Sequence, residues 1–181
     1  MGYDAPYGTG DRTEIIVASR STGLFYSEYL ATNLINGTYA DNAYFYDGIA
    51  VANHWIKFDF TEAIVITEIK WYQSGSQASG TWKVQGSNND ADWIDIGSSF
   101  TLGVPATQTI DLSGNTTAYR YYRLLGVSGN ASWNQYLREI EFSWAYPAES
   151  DIKSVNGIVY ANIKSVDSLS IASIKKINSI D

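Results

Sequence analysis

Cysteine is absent from the 181 residues, histidine occurs once, as His54, and proline only 3 times. Without cysteine there is no disulfide framework and no thiolate metal site, so the chain is held by packing, hydrogen bonds or a hard metal ion. A lone histidine gives no zinc cluster, and neither a Gly-x-Ser-x-Gly elbow nor a phosphate loop occurs, which argues against an enzyme. The carboxylates are numerous enough for a glycosidase pair. However, Asp90, Asp92 and Asp95 sit in a turn pattern, and Glu139 and Glu141 share one face of a strand. No run approaches the ~20 apolar residues of a spanning helix, and Met1–Arg12 lacks a basic stretch followed by an apolar one. Neither membrane insertion nor a classical secretion route is expected. Basic charge is also scarce: residues 1–148 carry 8 Lys/Arg against 15 Asp/Glu, whereas 149–181 carry 4 of each, for a net charge of -7. A surface of this sign repels nucleic-acid phosphates and anionic membranes, leaving neutral glycans and proteins as partners.

What is abundant is apolar and aromatic residues, at 45% and 14%, enough for a substantial core. All 6 Trp and 13 of the 14 Tyr precede Pro147, after which the sequence turns to Ile, Val, Ser, Asn and Lys. The expected organisation is an N-terminal arm over 1–12, a β-sandwich over 13–147 and a tail over 148–181. Short β-branched and aromatic runs separated by Gly, Asn, Asp and Ser predict strands. They span Thr13–Ser19, Trp55–Phe60, Ile64–Tyr72, Thr81–Ser87, Trp93–Phe100, Gln108–Leu112, Tyr119–Val127 and Leu137–Trp144. In Trp55–Phe60 the apolar Ile56, Phe58 and Phe60 alternate with Trp55, Lys57 and Asp59, as in a half-buried strand. Ser27–Ile35 supplies at most a helical turn. Trp55 and Trp93 are expected as large anchors between two sheets.

The tail repeats itself. Ile152-Lys-Ser-Val-Asn-Gly157, Ile163-Lys-Ser-Val-Asp-Ser168 and Ile174-Lys-Lys-Ile-Asn-Ser179 recur every 11 residues, each followed by an apolar residue at Ile158, Leu169 and Ile180. These residues make poor helix interiors, and Asn156-Gly157 is a turn signal. The expectation is a strand-turn-strand unit repeated three times, stacking on neighbouring chains or on a partner because one unit cannot bury its own apolar stripe.

Several segments read together resemble a known series. They are Asn33-Leu-Ile-Asn-Gly37, His54-Trp-Ile-Lys-Phe-Asp-Phe60, Val84-Gln-Gly-Ser-Asn-Asn-Asp90 with Trp93, Arg120-Tyr-Tyr-Arg-Leu124 and Leu137-Arg-Glu-Ile-Glu-Phe142. In order and spacing they are similar to the landmarks of discoidin domains, the coagulation-factor C-domain or galactose-binding-like type, over roughly residues 13–144. The resemblance implies an all-β fold, a discoidin-like jelly-roll β-sandwich, followed here by a short β-repeat tail. Gly8-Thr-Gly-Asp-Arg12, Lys70-Trp-Tyr-Gln-Ser74 and Gly80-Thr-Trp-Lys83 are similar to discoidin modules of bacteriophage structural proteins, and the tail resembles repeats at the ends of phage virion proteins. Assembly on a virion released by lysis would place the chain outside the cell without a signal peptide.

The resemblance implies two sites. A calcium ion, which takes six to eight oxygen ligands, would be held by Leu34 and Gly37 through carbonyls, by Asn36, by Thr38 or Asp41, and by Glu139. Asn36 stands where the family pattern has Asp, which removes one negative charge. The alternative is that Asn36-Gly37 is a turn and that Glu139 pairs with Arg120, Arg123 or Arg138. A glycan site would lie on loops at one end of the sandwich, on Trp133, Asn134, Tyr44, Tyr46, Tyr72, Gln73 and His54. Trp133, flanked by Gly, Asn and Ser, is the leading residue, against the alternative of a loop-packing aromatic, and His54 is equally readable as a solvated or satisfied histidine. The fucose-binding Arg-x-Asp motif is absent, so fucose is not inferred. The expected function is a non-enzymatic carbohydrate-binding virion protein, a phage fibre, spike or decoration. It would adhere weakly and multivalently to host-surface glycans, with residues 148–181 joining it to other virion proteins or to itself, as a trimer by analogy with fibre repeats. The alternative is a capsid or tail decoration protein that binds no sugar.

Overall fold

The computed structural model describes residues 3–40, 42–133 and 135–147, together with the backbone of four two-residue strands in the C-terminal segment. The chain divides into two compact units, Met1–Pro147 and Ala148–Asp181. The first contains eight strands: β1 Val17–Arg20, β2 Ala43–Tyr44, β3 Trp55–Gln73, β4 Thr81–Ser87, β5 Ile94–Thr101, β6 Thr107–Asp111, β7 Tyr119–Ser128 and β8 Tyr136–Ala145. A 3-10 helix spans Ala31–Ile35, within the stretch read as a helical turn.

All the pairings are antiparallel, and β3 is the hub. Its first half pairs with β1 (Val17↔Asp59) and β7 (Trp55↔Leu125), and β7 continues through β4 to β5. Its second half pairs with β6 (Glu68↔Asp111) and with β8, which carries β2 at its edge. The two expected strands Trp55–Phe60 and Ile64–Tyr72 are thus one strand that passes from one layer of the sandwich to the other. A register shift between Asp59 and Ile64 makes the crossing. At that bend Thr61 takes a left-handed φ of 63°, held by its N–H donating to Asp59 Oδ1 at 2.8 Å, while Arg120 grips Asp59 through two bonds of 2.8 and 2.9 Å.

Between the layers lie Ile56, Phe58, Phe60, Ile66, Val84, Tyr122, Leu124, Ile140 and Phe142, all buried. The large anchors are Trp71 and Trp82, both fully buried, with Phe45 stacked 6.3 and 5.9 Å from their rings. Trp55 and Trp93, expected in that role, are only half-buried. Each carries a cation on its ring instead, Lys57 at 5.3 Å and Arg123 at 4.1 Å: alternation turns Trp55 to the outer face of β3, and Trp93 stands just before β5.

Residues 3–12, expected as an arm, pack on the sandwich. Tyr7 is buried edge-on against Phe60 and Trp144 at 5.5 and 5.0 Å, and the Tyr3 hydroxyl donates to Glu68. A buried aromatic of this size holds its segment to the core.

In the second unit β9 (Ser154–Val155) pairs with β10 (Ile158–Val159), and β11 (Ser165–Val166) pairs with β12 (Leu169–Ser170). Val155↔Ile158 and Val166↔Leu169 are equivalent pairs one repeat apart. The third copy lies outside the described residues.

Candidate functional site

Loops gather at one end of the sandwich because backbone bonds tie them to one another. Tyr26 N–H donates to Tyr44 O, Tyr46 N–H to Leu24 O, Ala131 N–H to Ile49 O and Ser74 N–H to Tyr136 O, at 2.8–3.2 Å. Strand pairing sets Tyr44 against Tyr136. The result is a file of tyrosines. Tyr46 stacks on Tyr26 at 4.6 Å, Tyr26 tilts against Tyr44 at 5.6 Å, and Tyr44 meets Tyr136 edge-on at 4.9 Å.

A cleft of about 300 Å³ opens among Tyr26, Glu28, Tyr29, Tyr44, Asp47 and Tyr136. The Tyr26 hydroxyl donates to Asp47 Oδ2 at 3.1 Å; burial and this carboxylate push its ionisation above the usual range, so it stays a donor. Asp47 Oδ1 is buried with no hydrogen-bond partner, which is uncommon for a carboxylate oxygen. The described lining carries two carboxylates and no cation.

Trp133 stands next to this cleft and is 64% exposed. Its indole lies over Gly48, where a Cβ would come within 3.3 Å of Nε1 and where φ is +64°. Glycine therefore serves twice there, for the backbone turn and for the ring above it. Asn130 fixes the turn by donating to Gly48 O at 2.6 Å.

Of the expected glycan residues, the structure gathers Tyr44, Tyr46 and Trp133 around the 46–48 turn, and Asn134 lies outside the described residues. His54 belongs to the same end, but its Nδ1 is 2.8 Å from Ser21 Oγ. Tyr72 sits elsewhere, on the outer face of β3, donating to Glu141 Oε2 at 2.9 Å and edge-on to Tyr39 at 4.9 Å. Gln73 is not available to a ligand. It is buried, accepts from Trp71 Nε1 at 2.9 Å and donates to the carbonyls of Gly75, Gln77 and Gly103 at 2.6, 3.1 and 3.2 Å. Its role is to pin loops to the core. Tyr26, Glu28, Tyr29, Asp47 and Tyr136, absent from the expected residues, complete the cleft; Asp47 closes the Tyr44–Asp47 segment, a candidate loop on sequence grounds, and that position was the one available signal.

The expected calcium ligands are arranged differently. Leu34 is buried in the 3-10 helix, and Asp41 lies outside the described residues. Asn36 Oδ1 accepts from the Thr38 N–H and hydroxyl at 3.0 and 2.8 Å, a turn that Asn42 Nδ2 braces by donating to Thr38 O at 2.8 Å, and the Gly37 N–H, at φ +75°, donates to Glu139 Oε1 at 3.4 Å. Glu139 is 1% exposed, and its Oε1 contacts the guanidinium of Arg12, itself 1% exposed. Its ion-pair partner is thus Arg12, while Arg120 holds Asp59 and Arg123 donates to Gln85 Oε1 at 2.8 Å. Burial pushes the Glu139 carboxyl upward, and the Arg12 charge and the Gly37 N–H oppose it by favouring the ionised form. Glu139 Oε2 is the one buried oxygen here without a partner. Among the described residues no three acidic or histidine side chains converge as a metal cluster. A dication would face a buried guanidinium across a single carboxylate, so this ligand set does not fit calcium.

Comparison with known proteins agrees with the architecture. The sequence model of the F5/8 type C domain matches residues 16–140. No curated protein sequence matches the chain. Among solved structures, CBM32-1 from a family 31 glycoside hydrolase of Clostridium perfringens is similar at 14% identity and TM-score 0.52, covering 70% of this chain and 92% of its own. The family 32 module of NanJ from C. perfringens, solved with galactose, gives 12% and 0.55 with 76% and 98% covered. The chitosan-binding module 1 of a Paenibacillus sp. IK-5 chitosanase/glucanase gives 15% and 0.57 with 77% and 98% covered. At these identities the likeness is one of fold.

Proposed function

The chain belongs to the F5/8 type C domain family, and from that premise we propose that it is a non-catalytic module binding a carbohydrate in the cleft of Tyr26, Tyr44, Asp47 and Tyr136, with Trp133 as an exposed face beside it. The observation that carries the reading is the tyrosine file bordering a half-buried carboxylate. Sugar rings offer apolar C–H faces to aromatic rings and hydroxyl donors to acceptors, and a cleft with both kinds of wall suits them. Similar folds support the class: one was solved with galactose and another is a chitosan-binding module.

The finer reading is a bacteriophage fibre, spike or decoration protein on the virion surface. It adheres to host-surface glycans, and residues 148–181 join it to other virion proteins or to copies of itself, as a trimer. Support for the tail's part is its repetition, since two copies of the 11-residue motif form the same strand pair, a unit too small to bury its own apolar residues. Copies on one particle would turn weak single sites into firm adhesion, because later binding events become intramolecular.

The test is a glycan array and host-cell binding assay of the intact chain beside Tyr26→Ala and Trp133→Ala. Each substitution is expected to weaken binding tenfold or more, about 1.4 kcal/mol, while thermal unfolding of Trp133→Ala stays at the parental temperature. Absence of glycan binding by the folded chain would overturn the reading in favour of a decoration protein that binds no sugar.

A further inference from the structure

The Gly8-Thr-Gly-Asp-Arg12 segment, which the cleft does not use, ends in the most buried cation of the domain. Each nitrogen of Arg12 has a partner: Nε donates to Gly10 O at 2.9 Å, one terminal nitrogen to Gly8 O at 2.6 Å, and the other meets Glu139. The same neighbourhood closes on the 36–38 loop. Asp11 bridges to Asn36, Arg12 N–H donates to Ile35 O at 3.0 Å, and a Cβ on Gly37 would lie 2.4 Å from Gly10 C. Three segments far apart in sequence therefore converge on one guanidinium: the N-terminal strap, the loop after the 3-10 helix, and β8.

We infer that the Arg12 guanidinium is the built-in cation of this domain, joining the N-terminal strap, the 36–38 loop and β8 so that the fold requires no divalent ion. A fully buried carboxylate needs a compensating charge and hydrogen bonds. Glu139 receives the charge from Arg12, and the planar fork of donors gathers the Gly8 and Gly10 carbonyls on its other nitrogens. Calcium would have to collect six or more oxygens. Here one oxygen of the carboxylate and the Gly8 and Gly10 carbonyls already face the guanidinium, the side-chain oxygen of Asn36 is taken by Thr38, and the only atom of these groups left over is the single oxygen Glu139 Oε2. A positive charge supplied by the chain also makes residues 3–12 an integral part of the domain.

The experiment is thermal unfolding of the intact chain and of Arg12→Ala and Glu139→Gln, each in millimolar calcium and in chelator, with calcium binding to the parent followed by calorimetry. The parent is expected to unfold at the same temperature in both buffers and to release no binding heat. Either substitution leaves one buried charge unpaired and should lower the unfolding temperature by about 10 °C, with the Glu139→Gln loss equal in calcium and in chelator. The inference fails if chelator lowers the parental unfolding temperature by about 5 °C or more, if calcium binds stoichiometrically, or if the Glu139→Gln loss occurs only in calcium. It fails equally if Arg12→Ala unfolds like the parent. The parental measurements need no variant to fold, and the outcome is independent of whether the tyrosine cleft binds sugar.

Discussion

Two polar clusters on this domain differ in what the chain has already done with them. Around Arg12, every nitrogen of the guanidinium is bonded to protein atoms and both charged partners are 1% exposed. At the loop end, Asp47 uses one oxygen on Tyr26 and leaves the other without a partner, while Tyr46 and Trp133 expose half or more of their surface. The first cluster is closed from within, its one unpartnered atom, Glu139 Oε2, sealed on a side chain 1% exposed; the second keeps aromatic faces and an acceptor unengaged beside an open cleft. Since an unpartnered buried oxygen and exposed rings both cost stability in the free protein, their retention in one place is the physical mark of a binding site.

Gln73 offers the sharpest way to break that comparison, because it was expected at the sugar site and is found saturated. Gln73→Ala leaves the Trp71 indole N–H buried without its acceptor and frees three loop carbonyls, which predicts a stability loss of about 1–3 kcal/mol in chemical denaturation. If the folded Gln73→Ala variant instead kept its stability and lost glycan affinity, saturation would be a poor guide to role.

A smaller effect lies at the bend of β3. The hydrogen bonds of Arg120 hold the Asp59 carboxyl below the usual carboxylate range. A carboxyl with a depressed folded value stabilises the fold above its unfolded value, about 3.9, and that contribution is lost as the pH falls below it. Asp59→Asn keeps one oxygen for the Thr61 N–H and Arg120 Nε, and removes the negative charge together with the acceptor of the second Arg120 bond. It should therefore lower the unfolding temperature by a few degrees at pH 7 and by progressively less as acid protonates the parental carboxyl; equal losses at neutral and acid pH would assign Asp59 a purely geometric role.

Much of the sandwich was legible because alternation along a strand is local. Ile56, Phe58 and Phe60 announce an inward face wherever the strand goes, and Thr81–Ser87 has the bounds expected of it. β1 begins at Val17 rather than Thr13, since Asp11 draws the Thr13 N–H into a turn at 3.0 Å. What sequence did not reveal depends on contacts across the chain. Arg12 and Glu139 lie 127 positions apart, and nothing local distinguishes Arg12 from the arginines nearer Glu139. Tyr44, Tyr46 and Trp133 were legible as aromatics in loop-like surroundings. Tyr26 and Tyr136 were not, because only the Tyr26–Tyr44 backbone bond and the Tyr44↔Tyr136 pairing bring them into one file. Tyr72, from the same kind of motif, ends up on the opposite side of that distinction, bonded to Glu141.

The smallest expected effect concerns the sign of the ligand. Glu28 and Asp47 are the charged groups lining the cleft among the described residues, and the whole chain carries a net charge of -7. A sugar bearing a carboxylate must approach both, whereas a neutral or amine-bearing sugar of the same shape meets only hydrogen-bond acceptors or an attraction. Because Glu28 is exposed, solvent weakens the repulsion, and at 0.15 M salt charges are screened beyond about 8 Å. The neutral sugar should therefore be preferred over its uronic acid by only about threefold to tenfold at low ionic strength, narrowing as salt is added. Titrations of galactose, galactosamine and galacturonate against the intact chain at two salt concentrations measure this. Tighter binding of the acid would mean that a cation outside the cleft lining governs recognition, and the open cluster would then have to be redrawn around it.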